Sequence, residues 1–301
     1  MFKVCEISAG ELLGADFGEE QQKDFLLYGV SDPEAPEDHT LVFVKNKLSD
    51  SYKETKSCIY ITNEEMDLSL GDSCIQIRSR APKNRYGELL ERMACLMPKA
   101  EWNFVNGSYI SSDVQMGEAV KIGPFCVIGR NVVIGDHCEI GAGTVIKDHV
   151  RIGDHVIIKE NCMIGVEDAD IYRREDGFCR TLLHLAGTVI EDGCLLLAVA
   201  VLAAGDTRTT VLGRGSMIGL LGDVGHNCQI GDKTLVSGKA SISGHCRVGS
   251  HTYIAPMSVT TNRMSVGDGA YLGIGAVAIR DVPDGEKQFG NPARKVLEMK
   301  K

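Results

Sequence analysis

The chain has 301 residues, is 44% hydrophobic but only 6% aromatic, and carries a formal charge of −9. That length suits one elongated domain with a smaller one attached. An acidic chain without a basic stripe excludes a nucleic-acid-binding surface, and with no run of eighteen apolar residues no membrane span is expected.

Residues 1–100 read as a small α/β cap domain. The stretch ISAGELLGADF contains a short helix that stops at glycine. Strands are expected at LVFV (41–44), CIYIT (58–62) and DSCIQI (72–77). A helix follows over 84–97, where Leu89, Met93 and Leu96 recur on one side, flanked by Tyr86 and Leu90, until Pro98 disfavours its continuation. In VFVKNK, Phe43 and Asn46 offer an aromatic plane and an amide, a pair suited to holding a base such as uracil; strand core is the alternative for Phe43. No apolar signal core precedes this domain, which leaves a cytoplasmic location as the expectation.

From residue 101 onward the pattern changes. Isoleucine holds eight positions six residues apart: 122, 128, 134, 140, 146, 152, 158 and 164. Glycine follows it at 123, 129, 135, 141 and 153. The beat returns at Ile190, Leu196 and Leu202, and in a new frame from Leu212 to Leu272, broken once by Thr260. Neither a helix nor a simple alternating strand has this period. A β-branched residue every sixth place, followed by residues that tolerate tight corners, describes short strands winding round a three-sided prism, a hexapeptide β-helix spanning 101–281. Ile110 and Met116 extend the beat backwards as a worn first turn whose polarity would protect the open end of the core. The beat fails between Ile164 and Ile190, so an inserted loop is expected at about 165–188, a place for a binding wall. An enlarged corner at AAGDTRTT accounts for the second frame shift. A short tail, 282–301, holds a turn at Pro283–Pro292 and ends in charged residues that suit a very short helix.

Eleven cysteines have no framework spacing and no C-x-x-C pair, which points to a reducing compartment and to no zinc. Cys126, Cys138, Cys162, Cys194, Cys228 and Cys246 all stand two residues before a beat residue. His226, in GDVGHNCQIG, is the best candidate for a catalytic base. Asp223 and Asn227 beside it are candidate substrate contacts. His245 and His251 raise the question of a metal, but with His226 their spacing suits no metal set, and none is expected. His137, His149 and His155 read as solvated corner residues. Near the end, Gly273 leaves room for a thin ligand arm, and Arg280, Arg294 and Lys295 suit the phosphates of a carrier or coenzyme.

Taken together, GVSDPEAPEDHTLVFVKNK, RYGELLERM, REDGFCRTLLHLAGTVIEDG and TVLGRGSMIGLLGDVGHNCQIGD resemble the bacterial UDP-3-O-acylglucosamine N-acyltransferase family of lipid A synthesis. The resemblance implies a left-handed β-helix and a homotrimer with active sites between subunits. It implies that His226 is the general base, that Phe43 and Asn46 touch the uracil of a UDP-sugar, and that a 3-hydroxyacyl thioester on acyl-carrier protein is the donor. The acidic corner usual in that family falls on LAAG (202–205), with Asp206 adjacent, and the family's carboxy-terminal helical extension is almost absent. The GNPAR ending also resembles sugar acetyltransferases that use acetyl-CoA, so a coenzyme-A-dependent N- or O-acetyltransferase on a nucleotide sugar is the second reading. A catalytically inactive scaffold is the third.

Overall fold

The computed structural model describes residues 3–14, 24–45, 48, 54–174, 176–292 and 294–295. The chain divides into two compact units. The first comprises residues 1–99 with 167–186 and 206–208; the second takes the rest.

In the first unit, strands Gly29–Ser31, Thr40–Phe43, Ile59–Asn63 and Ile75–Ser79 form one parallel sheet in chain order. The short helix Ala9–Leu13 starts at Ser8, whose hydroxyl accepts from the Glu11 N–H while the Glu11 carboxylate accepts from the Ser8 N–H. The longer helix runs Pro82–Leu96. It begins earlier than the apolar stripe suggests because proline suits the first helical turn. Tyr86, Leu89, Leu90 and Met93 are buried as the stripe requires, but Leu96 is exposed.

The excursion 167–186 is a hairpin of Ile171–Arg173 against Cys179–Thr181. It is tied to the long helix. Lys83 pairs with Asp170 and donates to the Ile171 carbonyl at 2.8 Å, and the Tyr172 hydroxyl donates to Glu91 at 2.6 Å. Gly87 makes this approach possible, since a Cβ there would lie 2.8 Å from the Tyr172 ring.

The second unit is a parallel β-helix. Strands mostly two residues long stack into three sheets of ten, ten and eight strands, and all but the terminal strands Trp102–Val105 and Arg294–Lys295 pair with the strand one turn away. The register sets beat residue on beat residue: Ile122 on Ile140, Ile128 on Ile146, Ile134 on Ile152. From Ile128 onward these side chains form one buried column. Each fully buried isoleucine contributes about 1.5–3 kcal/mol. Thr260 is 1% exposed, and its hydroxyl is satisfied by the Ser243 N–H at 3.0 Å. The first turn is less sealed than its polarity suggests. Hairpin Trp102–Val105 covers Ser108–Ser111, and Trp102, Phe104, Tyr109 and Phe125 are exposed.

Two repeat positions do different work from the one the sequence suggests. Gly123, Gly129, Gly135, Gly141 and Gly153, each after a beat residue, do not supply left-handed corners. They permit close approach: a Cβ on Gly123 would lie 2.6 Å from the Ala142 nitrogen, and one on Gly135 would lie 2.7 Å from the Gly153 carbonyl. The left-handed conformation falls three residues before most beat residues, at Asn131, His137, His149, His155, Asn227 and His245 among others, with φ from 52° to 61° at these six. The hexapeptide slot two before the beat holds Cys, Ser or Thr in many turns. Its hydroxyl or thiol donates to a backbone carbonyl one turn away, as in Cys126 to Gly141 at 3.2 Å and Thr234 to Gly249 at 2.6 Å. This gives a core of small groups a directional bond between turns.

Beyond Ala278 the chain adds Lys287–Phe289 to one sheet and folds Arg294–Lys295 back antiparallel to it. Residues 283–292 are not a turn alone, as their prolines and glycines suggest: Lys287–Phe289 within them pairs parallel with Tyr271–Leu272 and carries that sheet of the prism one strand further. The expected terminal helix falls on 296–301, outside the described residues.

Candidate functional site

One corner of the prism carries the chemistry. It precedes the eight-stranded sheet, and its left-handed positions are Asn131, His149, Gly187, Asn227, His245 and Arg263. Both excursions, 167–186 and 206–208, leave the β-helix along this corner.

His226 occupies the position before the left-handed Asn227 and is 6% exposed. The same position one turn on is Gly244, and its missing side chain is where the imidazole lies. A Cβ on Gly244 would stand 2.4 Å from His226 Cε1 and 2.7 Å from Nε2. His245 stands edge-on to His226, ring centroids 5.0 Å apart at 82°. His245 is in turn fixed by the Asn227 amide at 3.2 Å from Nε2 and by the Arg263 guanidinium at 3.3 Å. The Asn227 N–H donates to the Thr210 hydroxyl at 2.8 Å. His226 is therefore held on its rung by backbone bonds and by the packed His245 ring. Its neighbour Asp223 faces outward on the preceding strand and accepts from the Ser241 hydroxyl at 3.1 Å.

The same corner repeats lower down with different chemistry. Asn131 lies 3.1 Å from His149 Nδ1, much as Asn227 lies against His245. There the places of His226 and Gly244 are taken by Arg130 and Asp148, which pair at 2.6 Å. His149 is not a solvated corner residue: it is 4% exposed, its Nε2 has no hydrogen-bond partner, and burial lowers its pKa to about 4.

In the first unit, Phe43 stacks on Tyr86 with centroids 5.4 Å apart, and one of its faces is therefore used internally. Asn46 lies outside the described residues. Asp206 is buried and accepts from the Thr207 hydroxyl at 3.1 Å. Burial, then the hydrogen bond from Asp206, raises the Asp170 pKa against the pull of Lys83.

Arg280 and Arg294 meet at the last turn. With Lys295, Gln288, Asp281 and Ile279 they line a cleft of about 250 Å³. Lys295 also pairs with Glu286 at 3.0 Å. Gly273 does not leave room for a ligand arm: the Phe289 ring lies over it, 2.2 Å from where a Cβ would be. Gly244, Ser241 and Arg263 were not singled out by the sequence. The signal available for Gly244 was its place eighteen residues after His226, one full turn of the repeat.

Fold and repeat together define a hexapeptide-repeat β-helix protein. The family model for the bacterial transferase hexapeptide (six repeats) matches residues 113–148 and 131–165. Within that class the chain resembles UDP-3-O-acylglucosamine N-acyltransferases: 30% identity over 113 residues with the one from Caulobacter sp. (strain K31), covering 38% of this chain and 33% of that protein. The one from Rhizobium meliloti (strain 1021) is 34% identical over 113 residues, covering 38% and 32%. The chain thus matches about a third of the length of these curated relatives. Among solved structures, UDP-N-acetylglucosamine O-acyltransferase from Moraxella catarrhalis RH4 superposes with a TM-score of 0.59 at 21% identity, covering 64% of this chain and 73% of that one. The UDP-N-acetylglucosamine acyltransferase of Francisella novicida gives 0.56 at 24%, covering 61% and 65%. At these identities the likeness is one of fold.

Proposed function

We propose that this chain is an acyltransferase that moves a 3-hydroxyacyl group from a thioester donor to the amine of a UDP-amino-sugar, with His226 as general base. The observation that carries this reading is the seat of His226, a nearly buried imidazole lying in the space that Gly244 leaves open and steadied by His245. The names of the relatives supply the substrate class.

In the proposed step the sugar nitrogen attacks the thioester carbonyl. His226 takes the proton that the nitrogen loses, and the carbon–nitrogen bond forms as the carbonyl becomes a tetrahedral oxyanion. Collapse breaks the carbon–sulfur bond, and the same imidazole returns its proton to the departing sulfur. Asn227 and Asp223 are proposed to contact substrate beside the base. Phe43 and Asn46 are proposed to hold the uracil.

Arg280, Arg294 and Lys295 are proposed to meet the phosphate of the donor, whether the phosphodiester of an acyl-carrier protein or the phosphates of coenzyme A. Their convergence on one cleft supports either donor and keeps the acetyl-CoA-dependent reading in view. A homotrimer is proposed as well. Its support is a set of exposed apolar residues that recur near one corner of the column, Phe125, Val199, Leu220, Leu221, Met257 and Ile274.

The test is to incubate the protein with UDP-amino-sugars and with acyl-carrier or acyl-CoA donors, and to identify products by mass. Product is expected from the wild type, and His226→Ala should lower turnover by about 10²-fold or more. Undiminished turnover in a folded His226→Ala variant would overturn the assignment of the base, and no product from any pair would favour an inactive scaffold.

A further inference from the structure

The outward face of the sheet that leads into the His226 corner is apolar along most of its length. Its successive outward residues are Val127, Val145, Met163 and Val201, and after two further turns Val259 and Val277. The two turns in between carry Asp223 and Ser241, which the register pairs directly. Among the described residues they are the only polar ones at this register position, one before each inward residue, from Val127 to Val277, and they are bonded to each other, Ser241 Oγ donating to Asp223 Oδ2 at 3.1 Å. Asp223 precedes His226 by three residues, so the pair lies within about 10 Å of the imidazole's backbone. Ser241 stands one turn on, beside Gly244 and His245.

A polar pair set into an apolar face beside a proposed base asks for a ligand with the same pattern: alkyl on both sides and one hydroxyl near the reacting carbon. Ser241 has spent its proton on Asp223, and its oxygen keeps lone pairs for an incoming O–H donor. We propose that Asp223 and Ser241 read the hydroxyl of the acyl donor, with Ser241 Oγ accepting the 3-hydroxyl while the chain lies along the valines. This rests on the acyl-transfer reading and adds a specificity residue to it. A sugar hydroxyl is the same chemistry from another source. The flanking valines favour the donor, because a sugar ring offers no alkyl surface to match them.

The experiment compares a 3-hydroxyacyl donor with the unsubstituted acyl donor of equal length, in wild type, Ser241→Ala and Ser241→Thr. Transfer is followed by product mass. Binding is followed separately with the matching non-reactive acyl thioethers of phosphopantetheine. Wild type is expected to prefer the hydroxylated donor about five- to tenfold, Ser241→Ala to lose that preference, and Ser241→Thr to keep most of it. Equal preference in wild type and Ser241→Ala, in both measurements, overturns the proposal. So does a Ser241→Ala effect that follows the acceptor's hydroxyls rather than the donor's. Discrimination in binding without turnover in the wild type would uphold the pair and overturn His226 as base. Turnover without discrimination would do the reverse.

Discussion

Gly244→Ala is the most direct probe of the seat of His226. The added Cβ would come within 2.4 Å of Cε1, 2.7 Å of Nε2 and 2.8 Å of Nδ1. Ordinary carbon contacts are about 3.5–4.0 Å, so the ring has to move by about 1 Å or more. A displacement of that size at a reacting group costs about 10²-fold in rate. The atoms met belong to a side chain that can swing aside, so the fold should survive. Gly249→Ala is the contrast. Its Cβ would meet the Asp268 nitrogen at 2.5 Å and the Gly267 carbonyl carbon at 2.7 Å, backbone that cannot yield. The assay is product formation with saturating donor, alongside thermal melting. Gly244→Ala should lose turnover with a near-native melting temperature, and Gly249→Ala should lose melting temperature first. Native turnover in Gly244→Ala would refute the claim that this vacancy positions the imidazole.

Three other outcomes follow from the structure. Thr260→Val should destabilise the column by about 1–3 kcal/mol, read as a lower urea midpoint, because the half-buried Ser243 N–H loses its 3.0 Å acceptor. Burial lowers the His149 pKa to about 4, against an unfolded value near 6.5, with Asp148 and Asp113 opposing the shift and Arg130 adding to it. The unfolded chain therefore binds the proton more tightly, and stability present above about pH 6.5 should fall by about 3 kcal/mol as pH drops toward 4. His149→Asn, which suits the left-handed corner, should flatten that slope in denaturant titrations at pH 7 and pH 5; an unaltered slope would count against it. Charge reversal at Arg280 or Arg294 should raise KM for a phosphate-bearing donor about tenfold with kcat retained, and added salt should shrink the difference.

The repeat was legible because one residue type keeps phase through eight successive hexapeptides, and the prism and its buried column follow from that phase alone. Three of the four strands in the cap sheet and the long helix were legible from ordinary alternation and from Pro98, while Gly29–Ser31 was too short to show. What the glycines do was not. A glycine after each isoleucine looks the same whether it supplies a left-handed corner or admits the next turn, and only the coordinates separate Gly123 from Asn131. The fate of Gly273 was hidden for a similar reason, since Phe289 reaches it from sixteen residues away. Burial of His149 and the docking of Tyr172 on Gly87 depend on long-range contacts that no local pattern records. At the candidate site, His226 stood out by its residue type. The glycine above it becomes meaningful only once the turn is known to be eighteen residues long.

The thiol and hydroxyl bonds of the column also act as a ruler. Cys126 and Cys138 each reach a carbonyl fifteen residues ahead. Cys162 reaches thirty-five ahead, and Cys194 nineteen. The surplus over fifteen is what the prism has pushed out at its corner before resuming count, once as the hairpin and once as the short widening after Gly205. Any segment that is not a whole turn must be expelled in this way, so a new loop can be grafted on that corner without disturbing the stack, whereas losing a few residues from within a turn would throw every later rung out of step.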